Sequence, residues 1–154
     1  MPVNPANPAG PATTSGTAQS SGAPVSVGIV LVSHSRSLAE SALDLARRLI
    51  VAVGQPCGAL GTDPGLIVSV VEQLAARCAG VLVLADLGSG IMSAEMALEM
   101  LDPAVAERVR LSAAPFVEGL LGAYGAAGIG KDLGAVVAEA DGAAEAKRSQ
   151  VAAL

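Results

Sequence analysis

The chain has 154 residues, is 52% hydrophobic and carries 14 acidic against 9 basic side chains, for a formal net charge of -5; that length suits one domain around one core. With this acidic balance and with Phe116 and Tyr124 as its only aromatic residues, it offers neither a basic footprint nor a stacking platform for nucleic acid. Its apolar runs break well before the roughly 20 residues that span a bilayer, and no basic flank followed by an apolar core marks a signal peptide, so a cytoplasmic protein without membrane insertion is expected.

Residues 1–24, "MPVNPANPAGPATTSGTAQSSGAP", hold five of the nine prolines and no charged or aromatic side chain. Such a segment cannot bury enough surface to offset its ordering entropy, so it reads as a disordered tail, with the domain running over 25–154. Val25 to Val32, "VSVGIVLV", reads as a strand. Ser37-Leu38-Ala39-Glu40 then fits a capping box. Leu38, Ala42, Leu45, Leu49 and Val53 recur at helical spacing, and Gly54 with Pro56 ends the helix.

Cys57 to Leu60 is a short strand, and Asp63-Pro64 places a cap before a proline at the first helical position. Ile67, Val70, Val71, Leu74 and Cys78 mark one face of the helix that follows. Gly80 to Asp86, "GVLVLAD", is a continuous apolar run, the signature of a central parallel strand covered on both faces. Gly88 to Leu101 is a third helix, stopped at Asp102-Pro103. Arg108 to Ala113 alternates polar and apolar residues like a strand nearer the edge. Pro115 opens a helix through about Tyr124, and Lys131 to about Arg148 forms the last one. The fold class is therefore α/β: a three-layer sandwich with a doubly wound, mainly parallel sheet and helices on both faces.

Cys57 and Cys78 are not closely spaced and have a single histidine for company, too few ligands for zinc. Both read as small buried apolar residues in a reducing compartment. Neither a GxGxxG nor a GxxxxGK[ST] pattern follows any strand, and no bound cofactor or metal is expected.

The one histidine, His34, ends the first strand in "VSHS", and Asp86 ends the third. Ligands of doubly wound sheets bind beyond the carboxyl ends of strands where the winding reverses. If the first and third strands flank that point, His34 and Asp86 face each other. A nucleophilic histidine needs one ring nitrogen free, and a carboxylate on the other fixes the tautomer. Gly88-Ser89-Gly90 supplies backbone N–H groups for a dianionic phosphoryl group at a helix start. Asp86 could instead cap the next helix, and the glycines could be turn residues. Ser33 and Ser35 either bind phosphate or satisfy local backbone groups, with the second preferred. Catalytic candidates are His34 and Asp86; phosphate-binding candidates are Ser35, Gly88 and Ser89.

Taken together, "VGIVLVSHSRSLAESALDLA", "VLVLADLGSGIMSAEMALEML" and "RVRLSAAPFVEGLLGA" resemble the phosphoryl-carrier subunit of the phosphotransferase-dependent dihydroxyacetone kinase, a mannose-type enzyme IIA domain, over about 25–148. The resemblance implies that the histidine matching His34 takes phosphate from the histidine-containing phosphocarrier protein of the phosphoenolpyruvate relay. It implies further that the aspartate matching Asp86 supports the ring and that the turn matching Gly88 and Ser89 lies at the phosphate. The phosphoryl group then passes to ADP on one partner kinase subunit, for use on dihydroxyacetone held by another, and members of the fold are typically homodimers. Some relatives carry the phosphocarrier on the same chain; with this sequence ending at Leu154, a separate donor protein is expected. Mannose-type domains proper usually have "GGSP" after the aspartate, and "GSGI" here favours the dihydroxyacetone branch. The alternatives are a sugar-specific enzyme IIA serving a membrane permease complex and a non-catalytic regulatory module.

Overall fold

The computed structural model describes residues 27–50 and 57–154. The proposed tail, the first two residues of the expected first strand, Val53 and the Gly54 and Pro56 stop signals lie outside them. Four strands, β1 (Val27–Val32), β2 (Cys57–Leu60), β3 (Gly80–Ala85) and β4 (Val109–Ser112), form one sheet in the order β2-β1-β3-β4. All of these pairings are parallel. β1 and β3 are matched along their whole length, from Val27 opposite Gly80 to Val32 opposite Ala85.

Each strand leads into a helix: α1 (Arg36–Leu49), α2 (Pro64–Ala75), α3 (Gly88–Met100) with the single-turn α4 (Pro103–Ala106), then α5 (Phe116–Gly128) followed by α6 (Leu133–Ala152). Every residue of β1 and β3 is buried, and successive side chains alternate between two cores as the strand period requires. Ile29, Leu31, Leu82 and Leu84 pack with Leu43, Leu120, Tyr124 and Val136 under α1, α5 and α6. Val30, Val32, Val81 and Val83 pack with Ile67, Val71, Leu74 and Leu101 under α2 and α3. Helices on both faces make the expected three-layer sandwich, and two covered faces explain why "GVLVLA" has no polar alternation. Each fully buried leucine of this set contributes about 1.5–3 kcal/mol by leaving water.

Several boundaries differ from those read in the sequence. Ser35, not Ser37, caps α1: its hydroxyl oxygen accepts from Leu38 N–H at 3.2 Å. The buried face of α1 is Ala39, Ala42, Leu43 and Ala46, while Leu38, Leu45 and Leu49 are exposed. The periodicity was satisfied by two adjacent stripes, and the small one faces the sheet because alanines let the helix approach closely. Asp102-Pro103, expected only to stop α3, also starts α4, with Asp102 accepting from Ala104 N–H at 2.9 Å. α6 begins at an Asp132 cap and runs on to Ala152. Asp63 caps α2 as expected, and β4 is an edge strand.

α5 and α6 lie backbone to backbone. A Cβ on Gly122 would stand 2.8 Å from the Glu139 carbonyl oxygen, closer than side-chain carbons come, so glycine sets this helix spacing. Cys78 is buried, as expected, and burial raises its thiol pKa against the smaller opposing effect of Arg77. The side chain of Cys57 lies outside what is described. Among the described residues no helix is long and apolar enough to cross a membrane.

Candidate functional site

Winding reverses between β1, whose chain proceeds to β2 on one side, and β3, whose chain proceeds to β4 on the other. The two strands finish level, so the residues just beyond them meet across the carboxyl edge. Asp86 N–H still bonds the Val32 carbonyl at 3.1 Å, which extends the ladder one step and fixes Asp86 beside the turn that carries His34.

The carboxylate of Asp86 is almost enclosed, with its side chain 6% exposed. Oδ1 lies 2.9 Å from His34 Nδ1 and accepts from Leu87 N–H at 2.7 Å. Oδ2 accepts from His34 N–H at 2.9 Å and lies 2.8 Å from Ser33 Oγ. Ser33 is fully buried and its oxygen also accepts from Ser35 N–H at 3.0 Å. Its hydroxyl proton can go to Asp86 or to the Ser35 carbonyl at 2.8 Å, and the charged acceptor is the stronger one. Burial alone would raise the Asp86 pKa, but bonds from the His34 backbone, the His34 ring, Ser33 and Leu87 outweigh it and hold the carboxyl below its ordinary value.

A carboxylate only accepts, so in the neutral ring Nδ1 carries the hydrogen and Nε2 holds the free pair of electrons. Nε2 points to Ser89 Oγ, in hydrogen-bond contact. The imidazole is 37% exposed, open to a reactant from outside. Ser89 sits in the first turn of α3, whose cap residue Leu87 makes no side-chain capping bond and whose first turn has no acidic residue. The amides of Gly88, Ser89 and Gly90 have no acceptor within the helix, and with the helix dipole they favour an anion at this end.

Of the residues singled out in the sequence, His34, Asp86 and Ser89 are thus brought together. Gly88 opens α3, where a Cβ would meet nothing within 4 Å, so only its amide bears on the site. The Ser35 hydroxyl oxygen accepts from Leu38 N–H as the α1 cap. Ser33 satisfies the local backbone at Ser35, as expected, but one further role of Ser33 and one of Gly90 went unread. The bond from Ser33 to Asp86 spans 53 positions and leaves no local trace. A Cβ on Gly90 would stand 3.1 Å from Asp86 Oδ1 and 3.6 Å from His34 Cε1; the second glycine of "GSG" was its only signal.

Residues 28–137 match the family model EIIA-man, described as "PTS system fructose IIA component". This chain belongs to the EIIA-man family. The match takes in both strands that carry the site. This EIIA-man domain is similar to proteins named "PEP-dependent dihydroxyacetone kinase, phosphoryl donor subunit DhaM" from Klebsiella michiganensis and Pantoea ananatis, with 40% and 43% identity over 135 residues in each case. Both alignments cover 81% of this chain but only 28% of the relative. A third relative, "PEP-dependent dihydroxyacetone kinase 2, phosphoryl donor subunit DhaM" from Listeria innocua, is 34% identical over 103 residues, covering 60% of this chain and 79% of that one. Among solved structures, the protein EF1359 superposes with a TM-score of 0.67 at 28% identity, over 75% of this chain and 93% of its own. A phosphotransferase component EIIA from Streptococcus agalactiae gives 0.60 at 12% identity, over 79% and 94%, a likeness of fold.

Proposed function

We propose that this chain is the phosphoryl-donor subunit of a phosphoenolpyruvate-dependent dihydroxyacetone kinase, with His34 Nε2 as the atom that carries the phosphoryl group. The observation that carries the reading is the imidazole held by Asp86 on Nδ1 at 2.9 Å while Nε2 faces Ser89 at an uncapped helix start. The electron pair of Nε2 attacks the phosphorus of a donor phosphohistidine. As that bond forms, the bond from phosphorus to the donor ring breaks and its electrons return to the donor nitrogen. Asp86 offsets the positive charge that develops on the His34 ring. The Ser89 hydroxyl and the α3 amides donate to the phosphoryl oxygens.

A helix terminus contributes about 0.3–1 kcal/mol toward a nearby anion, enough to hold the group without trapping it. In the second transfer a terminal phosphate oxygen of ADP, bound on a partner kinase subunit, attacks the same phosphorus. The bond to Nε2 breaks, its electrons return to the ring, and the ATP formed serves phosphorylation of dihydroxyacetone. The donor is the histidine-containing phosphocarrier protein, the setting is cytoplasmic, and the working unit is a homodimer, which sedimentation equilibrium checks.

Mass spectrometry after incubation with phosphoenolpyruvate and the general phosphotransferase proteins tests site and chemistry together. One phosphate, base-stable and acid-labile, is expected on His34; labelling that survives His34→Ala ends the reading. A second reading, a sugar-specific enzyme IIA serving a membrane permease complex, draws on the description of the matched family. Mixing the phosphorylated protein with the kinase subunits and ADP separates the two, since only the first forms dihydroxyacetone phosphate.

A further inference from the structure

Asp86, His34 and Ser89 stand in an order that phosphoryl carriage does not use. Asp86 Oδ1 lies 2.9 Å from His34 Nδ1, and His34 Nε2 is in hydrogen-bond contact with Ser89 Oγ. With the ring hydrogen on Nδ1, Nε2 can only accept, so the Ser89 hydroxyl is the donor in that contact. A hydroxyl bonded to a base whose other nitrogen is fixed by an enclosed carboxylate is a serine–histidine–aspartate triad, which is defined by these relations and not by chain order or fold. The aspartate is 6% exposed, as that role requires. Ser89 lies just after β3, in the first turn of α3, a strand-to-helix position that sets a nucleophilic serine beside the amides of its own helix start. Those of Ser89 and Gly90 have no acceptor within the helix, and no side chain caps it. Neither carboxylate of this edge competes for them: Asp63 Oδ1 accepts from Leu66 N–H at 3.0 Å, and Asp86 is engaged by Ser33, His34 and Leu87.

We propose that the chain free of phosphate has a second activity, hydrolysis of activated esters of small acyl groups, with Ser89 as nucleophile and His34 as its base. Ser89 Oγ attacks the carbonyl carbon while its proton passes to Nε2, and the carbonyl electron pair moves onto the oxygen, held by the Ser89 and Gly90 N–H groups. Collapse of that intermediate breaks the bond to the leaving oxygen, which takes the proton from Nε2. Water then gives a proton to Nε2 and attacks the acyl-serine; Oγ leaves, recovers that proton, and the carboxylic acid is released. One rotation about the Ser89 Cα–Cβ bond separates the two chemistries. With its hydroxyl on Nε2, Oγ is the nucleophile; turned toward phosphoryl oxygens, it leaves Nε2 free. A dianionic donor draws the hydroxyl to itself, whereas an uncharged ester offers one carbonyl oxygen, which the amides take. The imidazole stands at an open edge, 37% exposed, so the substrate is held mainly at its reacting atoms, which restricts the class to small esters with good leaving groups.

The test treats the full chain with diisopropyl fluorophosphate, which forms a stable ester with a base-activated serine and releases fluoride, and locates the adduct by peptide mass spectrometry. One adduct is expected, on Ser89, and none in Ser89→Ala. His34→Gln should slow its formation about 100-fold, the scale of a lost general base, and hydrolysis of p-nitrophenyl acetate should fall with it. A second measurement needs no variant: His34 is the one histidine of the chain, so carbethoxylation of its ring with diethyl pyrocarbonate should suppress the adduct, and hydroxylamine should restore it. An adduct on His34 or any residue other than Ser89, no adduct at all, or a rate within twofold of normal once His34 is blocked overturns the activity. Uptake of phosphate by His34 in a chain whose Ser89 stays unmodified removes this activity alone. An adduct on Ser89 in a chain that the phosphoenolpyruvate relay leaves unlabelled removes the carrier reading alone.

Discussion

Asp86 grips residue 34 twice, with Oδ1 on the His34 ring at 2.9 Å and Oδ2 on the His34 backbone N–H at 2.9 Å. One carboxylate therefore sets both where the chain turns and how the imidazole is rotated. In Asp86→Asn the amide can occupy the same space, but its nitrogen donates and cannot accept from the groups that one of the two carboxylate oxygens now serves. The rate of His34 labelling should fall on the order of 100-fold, the scale of a misoriented reactant, and a pre-steady-state labelling time course measures it.

The same carboxylate makes stability depend on acid. Its folded-state pKa lies below the ordinary value, so its stabilising contribution is complete above about pH 4, the unfolded value. It is lost as pH falls through the lower folded value. Urea unfolding from pH 7 down to pH 2 should show the unsubstituted chain more stable than Asp86→Asn at neutral pH and the two curves converging below about pH 4.

Gly90→Ala puts a methyl 3.1 Å from Asp86 Oδ1 and 3.6 Å from His34 Cε1. Alanine favours the helix by about 1 kcal/mol, which offsets the local crowding, so the denaturation midpoint should move little. The labelling rate should fall about tenfold because the carboxylate and ring are pushed apart. Stability unchanged with transfer slowed is the result to look for.

Gly122→Ala should do the reverse. The new methyl meets the Glu139 carbonyl at 2.8 Å, backbone that cannot swing aside, and forcing α5 from α6 costs about 1–3 kcal/mol. Urea unfolding should register the loss while His34 labelling in the folded protein keeps its rate.

Arg108 closes the far end of α2, its Nη1 donating to the carbonyls of Cys78 at 3.0 Å, Ala75 at 3.2 Å and Ala79 at 3.4 Å. Arg108→Met leaves those oxygens without the guanidinium and should cost about 1–3 kcal/mol. The melting temperature falls; phosphate uptake on the folded chain does not.

What could be read from the sequence depended on how far each signal reaches. The apolar run of β3 and the Asp63-Pro64 start of α2 are local statements about burial and capping, and the structure has both where the residues imply them. The start of α1 was misread at Ser37 because its capping-box pattern is local, whereas Ser35 caps the helix in the structure, where Ser33 and His34 are fixed against Asp86 by tertiary bonds. Its buried face was misread because leucines outweigh alanines in any hydrophobic pattern, whereas a helix lying close on a sheet selects the smaller stripe. For the site, the meeting of His34 and Asp86 followed from strand order alone. The Ser33 bond and the tight space at Gly90 are properties of the assembled edge and of no single segment.

The equal length of β1 and β3, paired one for one from Val27 with Gly80 to Val32 with Ala85, leaves the reacting pair no slack. Removing one residue from either strand would drag its end residue back by one rise, about 3.3 Å, and turn every following side chain to the opposite layer. Adjusting the distance between imidazole and carboxylate would thus mean rebuilding both hydrophobic layers, so the spacing of the reactive groups is kept by the same apolar residues that keep the domain folded.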